Sequence, residues 1–316
     1  MRIDVHAHLW SEEYLHLLES FGSTEAPAHH RLGAGSTSEE LDQRFALMDK
    51  AGIDLQVLST PPASPHFEDE AHAVEAATWV NNEYAELTNR YPDRFRAFAT
   101  LPLPHTDAAL AELTRALDEL GMLGVAITTD VLGQAIDGPA FLPIYEELDR
   151  RGSVLYVHPA GTRAQSELIS ETMTWSIGAP IEDTVALTHL ILAGIPSRFP
   201  NLKILGSHLG GALPMTLNRM DRQQPWESPN TPEKPSLAAR RMWFDTVAHN
   251  HIPALHAAAE TLGADHLVLG TDFPYQSGEA FQEAVTYIER ANLDDADTTA
   301  ILDTTAANLL GVTPPA

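Results

Sequence analysis

Cysteine is absent from the 316 residues, which removes disulfides, thiolate metal ligands and cysteine nucleophiles together. Positive charge is scarce: 19 Lys and Arg stand against 44 Asp and Glu, a formal charge of -25, with a pI near 4.8. A field of that sign repels polyphosphates and anionic lipid head groups, so neither nucleic acid nor a membrane is expected as a partner. An anionic small molecule would need local help from arginine. No apolar run of 18 residues occurs, and a strand pattern begins at once, without the basic and apolar regions of a secretion signal. A membrane span is excluded on that pattern and a cytoplasmic location expected.

What is present is an ordinary globular composition, 44% hydrophobic and 20% charged, in which short β-branched runs alternate with amphipathic stretches. Strands are expected at 2–8, 55–60, 96–103, 124–129, 154–160, 202–209, 242–248 and 266–274. Helices are expected at 39–51, 68–91, 107–120, 139–151, 181–199, 212–221, 252–262 and 279–291, with a last one at 294–310. Eight alternations predict one α/β domain over residues 1–316, a (β/α)8 TIM barrel with its chemistry at the C-terminal strand ends. A doubly wound sheet is the alternative. Three connections exceed what a barrel needs, at about 9–38, 161–180 and 223–240. All three are expected at the chemical end as walls or a lid of a pocket.

The first strand reads "DVHAH". Residues i and i+2 of a strand share a side, so His6 and His8 can face one point inside the barrel mouth. His158 closes strand 5, His208 strand 6 and Asp272 strand 8. Taken singly, His158 reads equally as a satisfied core histidine and Asp272 as a helix N-cap. Together, three imidazoles and a carboxylate at one end of a barrel form a ligand set that suits one Zn²⁺, with Mn²⁺ or Fe²⁺ behind it. Such an ion can lower the pKa of a water from about 16 to roughly 7. His208 beside it titrates in the range where it can take or return a proton.

The motifs "DVHAH", "VHPAG", "SHLGGALP" and "LGTDFP" resemble, in order and in barrel position, those of the amidohydrolase superfamily. The stretches "LDQRFALMDKAGIDLQVLST" and "RFPNLKILGSHLGGALP" are similar to the subgroup of aminocarboxymuconate semialdehyde decarboxylase and γ-resorcylate decarboxylase. The resemblance runs from residue 1 to about 311 and implies that His6, His8, His158 and Asp272 hold one metal ion. It makes His208 the base beside that ion and Asp272 also the acid that delivers a proton to carbon. Superfamily members with two ions bridge them through a carbamylated lysine on strand 4. This sequence has Thr128 and Thr129 there, and its three lysines, Lys50, Lys203 and Lys234, lie elsewhere.

The implied activity is metal-dependent nonoxidative decarboxylation of a small aromatic or muconate-type acid. Hydrolysis of a lactone, ester, amide or C–C bond is the runner-up, and a non-catalytic metal-binding protein comes third. For the anionic substrate, Arg219 matches an arginine that reaches into the neighbouring subunit's site, which implies a homodimer. Trp175 matches an aromatic near the pocket, while His249 and Phe273, next to strand ends, are further candidate substrate contacts. The sequence departs from aminocarboxymuconate semialdehyde decarboxylase at a shortened connection after strand 1, where Arg31 is the one basic candidate. It departs again at Ala160, which replaces a tryptophan.

Overall fold

Eight short, mostly buried strands run parallel in the computed structural model, which describes residues 1–313. They are β1 Ile3–His8, β2 Leu55–Ser59, β3 Phe95–Ala97, β4 Gly124–Thr128, β5 Val154–His158, β6 Lys203–Gly206, β7 Trp243–Asp245 and β8 Leu267–Val268. Strands β1 to β3 form one ladder and β4 to β8 another. Parallel bridges Ala99↔Val125 and Ala7↔Phe273 join the two. The amides of Val5 and His8 donate to the carbonyls of Leu269 and Phe273 across the second seam, so the ladders close into the expected barrel. A helix follows each strand, from Ser38–Ala51 after β1 to Gly278–Glu289 after β8.

Two apolar layers hold the barrel. The inner one, Ile3, Val5, Leu55, Val57, Phe98, Ala126, Tyr156, Leu205 and Val268, fills the lower half and is floored by Leu309 and Leu310 of the last helix. The outer one packs the helices against the strands. Between them runs a buried polar staple. Arg44 donates to the side chain of Gln56 and to the carbonyl of His8, and Gln56 donates to Asp4. Asp4 also accepts from the amide and hydroxyl of Thr271. This network ties β1, β2 and β8 together behind the strand ends.

Strand β1 does not alternate regularly. Its register against β2 shifts between Asp4 and Ala7, so Ile3 and Val5 point into the inner layer and the inward phase then moves to His6 and His8. One extra residue converts an apolar floor into a polar mouth.

Several expectations are corrected. The connection after β1 contains a helix, Glu12–Ser20, and a short antiparallel pair, Asp130–Val131 with Gln134–Ala135, follows β4. The third long connection lies at the opposite end of the barrel. The helix after β6 runs Leu213–Glu227, which carries the chain to the floor before the loop begins. There Thr231 donates to the carbonyl of Leu192, at the far end of helix Ala179–Leu192. Of the three long connections, those after β1 and β5 rise at the mouth. No helix among the described residues is long and apolar enough to cross a membrane.

Candidate active site

His6, His8, His158 and Asp272 converge, each fully or almost fully buried, with one potential ligand atom apiece, all within 4.8 Å of one another. Each imidazole is aimed by its Nδ1. That of His6 lies 2.8 Å from Asp245 Oδ2, that of His158 lies 2.9 Å from the carbonyl of Pro159, and that of His8 lies 3.4 Å from Ser59 Oγ. With Nδ1–H donating to these oxygens, each Nε2 keeps its lone pair for the centre. Nε2 of His6 and Nε2 of His8 are buried without a hydrogen-bond partner, and both approach Asp272 Oδ1, at 3.2 and 3.5 Å. Buried polar atoms left in this way are costly unless something binds them. Three oriented imidazoles and a carboxylate, with two of the imidazole Nε2 atoms left without a hydrogen-bond partner, fit one divalent cation of the zinc, manganese or iron kind.

For His8 and His158 the electrostatics agree with that fit, and for His6 they show how strongly its two carboxylate neighbours favour positive charge at this point. Burial holds His8 down to about 4, and burial with His8 and His6 alongside pushes His158 well below the usual imidazole range. Both shifts favour the neutral form that a ligand needs. Burial also opposes the charged form of His6, but Asp245 and Asp272 outweigh it and push it up to about 10. Asp272 is held well below the usual carboxylate range by His6 and His8, against the effect of burial. The same residue takes a left-handed backbone, φ 62°, a conformation that aspartate tolerates and that often marks a functional position.

His208 lies beside the cluster, its ring 5.1 Å from that of His6 and 5.7 Å from that of His158. Its Nδ1 is 2.9 Å from Asp183 Oδ2, and its amide donates to Asp245. Asp183 also accepts from Ser207. Burial lowers His208, and Asp183 more than reverses this, so the imidazole is raised. This is an imidazole with a carboxylate fixing its tautomer, the arrangement of a proton-transfer group. The following glycines serve packing. A Cβ on Gly210 would meet Phe244, and one on Gly211 would meet the Pro180 carbonyl and Thr184.

An aromatic wall rises over His8. Trp10 stacks on it with ring centroids 5.1 Å apart and 7° between planes, and Tyr275 meets it edge-on at 5.8 Å. His29 packs against Trp10 at 4.7 Å. Trp175 lies over Tyr275 at 6.4 Å and is half exposed, so the structure brings it to the rim. His66 joins from the connection after β2, with Nδ1 3.2 Å from Thr128 Oγ1 and Nε2 unpartnered.

Three other candidates lie differently. Phe273 is buried in the outer layer between the Arg44 guanidinium, 4.5 Å from its ring, and Phe281, so its side chain supports the site from behind. His249 is exposed at a left-handed turn after β7 and is not brought to the cluster. Arg219 is exposed on helix Leu213–Glu227, with no ion pair to any described residue.

Sequence reasoning passed over Asp245, Asp183, Trp10, Tyr275 and His66. A carboxylate inside the apolar strand "MWFDTVA" is the one signal that could have found Asp245.

A closed parallel barrel whose first, fifth and eighth strands supply three imidazoles and a carboxylate at one mouth is an amidohydrolase-type barrel. The chain belongs to the amidohydrolase family, whose model matches residues 3–312, and it is an enzyme of that superfamily. The 2-amino-3-carboxymuconate-6-semialdehyde decarboxylase of Dictyostelium discoideum is 27% identical over 88% of this chain and 83% of its own length. A structure of 2,6-dihydroxybenzoate decarboxylase complexed with 2,6-dihydroxybenzoate superposes with TM-score 0.85 and 26% identity, covering 98% of this chain and 99% of the other. A dihydroxybenzoic acid decarboxylase from Polaromonas sp. JS666, with bound manganese and the inhibitor 2-nitroresorcinol, gives TM-score 0.84 and 26% identity over 99% and 98%.

Proposed function

We propose that this enzyme is a metal-dependent carboxy-lyase that removes CO2, without an oxidant, from a small aromatic or muconate-type carboxylic acid. The observation that carries the proposal is the four-residue cluster: buried, with Nε2 of His6 and of His8 unpartnered, beneath aromatic rings and beside a carboxylate-backed histidine. Similarity to decarboxylases along almost the whole chain supports the same reading.

His6, His8, His158 and Asp272 would hold the ion, zinc or manganese. When bound, a divalent ion serves as a Lewis acid for the substrate's oxygen atoms. Trp10 and Tyr275 offer flat faces against which an unsaturated or aromatic ring can lie, with Trp175 closing the rim. In the reaction the carbon bearing the carboxylate takes a proton, its bond to the carboxylate breaks, CO2 leaves, and the bonding pair restores the unsaturated system. We assign delivery of that proton to Asp272. The His208–Asp183 pair can resupply it, and the proton consumed comes from solvent.

Recognition of the anion is assigned to Arg219 of a second copy. Met215, Arg219, Arg222 and Trp226 are all exposed and recur at i, i+4, i+7 and i+11, which places them on one face of their helix. Met215 and Trp226 are 83% and 77% exposed, apolar surface of the kind a subunit contact covers. On this reading the enzyme is a homodimer with Arg219 in the neighbouring mouth.

The test is product analysis with metal-loaded enzyme on 2,6-dihydroxybenzoate, 6-methylsalicylate, aminocarboxymuconate semialdehyde and a set of lactones and esters. Stoichiometric CO2 with loss of the carboxyl group is expected. Acid production from the lactones or esters without CO2 from any acid would make the enzyme a hydrolase instead.

A further inference from the structure

A second group of ligating side chains lies on the connection after β1, outside the aromatic wall. Glu12 and His16 stand four residues apart on helix Glu12–Ser20 and so share a face. His30 follows the short turn Ala26–His29 and comes back over that face. Its ring centroid is 5.0 Å from that of His16. Its Nδ1 is 2.6 Å from Glu12 Oε2 and its Nε2 is 2.6 Å from Glu19 Oε1. One ligand atom each of Glu12, His16 and His30 lie within 4.8 Å of one another. The amide of Arg31 donates to the other Glu12 oxygen.

We propose that Glu12, His16 and His30 form a second divalent-cation site, selective for a zinc-like ion, that clamps the segment carrying His29 and His30 onto helix Glu12–Ser20. Two imidazoles and one carboxylate are a zinc-type donor set with an open position for solvent. Glu19 completes it in a specific way. An imidazole offers only one nitrogen to an ion, so coordination through Nδ1 leaves Nε2–H to be held by Glu19, the carboxylate–histidine–metal arrangement that fixes ring orientation. The surplus of acidic side chains over the whole molecule favours a cation at such a surface.

The site bears on the mouth through one residue. His29, next to His30, packs on Trp10, which stacks on His8. An ion that fixes His30 therefore fixes the outer support of the aromatic wall, and the site works as a lid clamp independently of what the enzyme turns over.

The experiment uses the full-length holoenzyme equilibrated with buffered Zn²⁺, followed by metal analysis and by amide hydrogen exchange of residues 26–31. Wild type is expected to hold one zinc per chain more than either His16→Ala or His30→Ala, with exchange of residues 26–31 slowed by zinc in wild type alone. Far-UV circular dichroism checks that the variants fold, which the exposed His16 and the half-buried His30 allow. Because the quantity read is a difference between wild type and variant, it does not depend on what the four-residue cluster holds. Equal zinc content in wild type and the His16→Ala/His30→Ala double variant would overturn the proposal, as would zinc-independent exchange in wild type.

Discussion

Gly270 has no side chain because His6 occupies the space one would need. A Cβ there would lie 2.9 Å from the His6 Cβ and 3.0 Å from the Asp245 Cβ, closer than packed carbons come. Gly270→Ala is expected to displace the His6–Asp245 pair, so that metal content and turnover fall together while the circular dichroism spectrum is kept; retention of full metal content would contradict this. Asp183 acts at one remove. Asp183→Asn should leave the metal content unchanged and lower kcat on the order of 10²-fold or more, since it removes the partner that fixes the His208 tautomer; a change confined to KM would argue against that role. Of these residues the histidines were readable in the sequence, because H-x-H and a histidine at a strand end are local patterns. Asp183 and Asp245 were not. A single aspartate in a helix or a three-residue strand looks like a solvated position until the fold places an imidazole nitrogen 2.8 or 2.9 Å away.

Among the elements, the connection after β5 depends on Glu182. This buried carboxylate accepts from Thr129 Oγ1 and from the amides of Ala160, Gly161 and Arg163. Leaving such donors unsatisfied costs about 1–3 kcal/mol each. Glu182→Ala is therefore expected to speed hydrogen exchange across 160–178 and to raise KM more than it lowers kcat, because Trp175 rides on that segment. Uniform acceleration across the whole chain would mean global destabilisation instead. The alternation of strands and helices was legible at this scale, as was the closure that follows from it. The bulge in β1 was not, since a register shift depends on the partner strand rather than on residue type. The helix Glu12–Ser20 was folded into a long connection although Ser11 caps it and acidic residues open it, signals of an N-terminus. The third connection follows the helix Leu213–Glu227 and precedes β7, so as an α-to-β connection it lies at the floor rather than at the mouth.

For the whole molecule, a cation held by strands from both ends of the chain should stabilise the native state by mass action. That contribution is about 4 kcal/mol when free metal exceeds Kd a thousand-fold. Stripping the metal with a chelator is expected to abolish turnover and lower Tm, with both restored by Zn²⁺ or Mn²⁺. Full activity of rigorously stripped enzyme would refute the assignment of the cluster. Composition had already excluded thiolate ligands, but it could not show that the seam of the barrel and the centre coincide.

That coincidence sets an order of events. The Ala7↔Phe273 bridge and the contact between His6 and Asp272 join residues that leave the ribosome hundreds of peptide bonds apart. A nascent chain therefore carries its first histidines without Asp272 until β8 and the turn after it have been made. Assembly of the full four-residue centre accordingly waits until β8 has emerged and paired with β1, and a chain released before then lacks the carboxylate of Asp272.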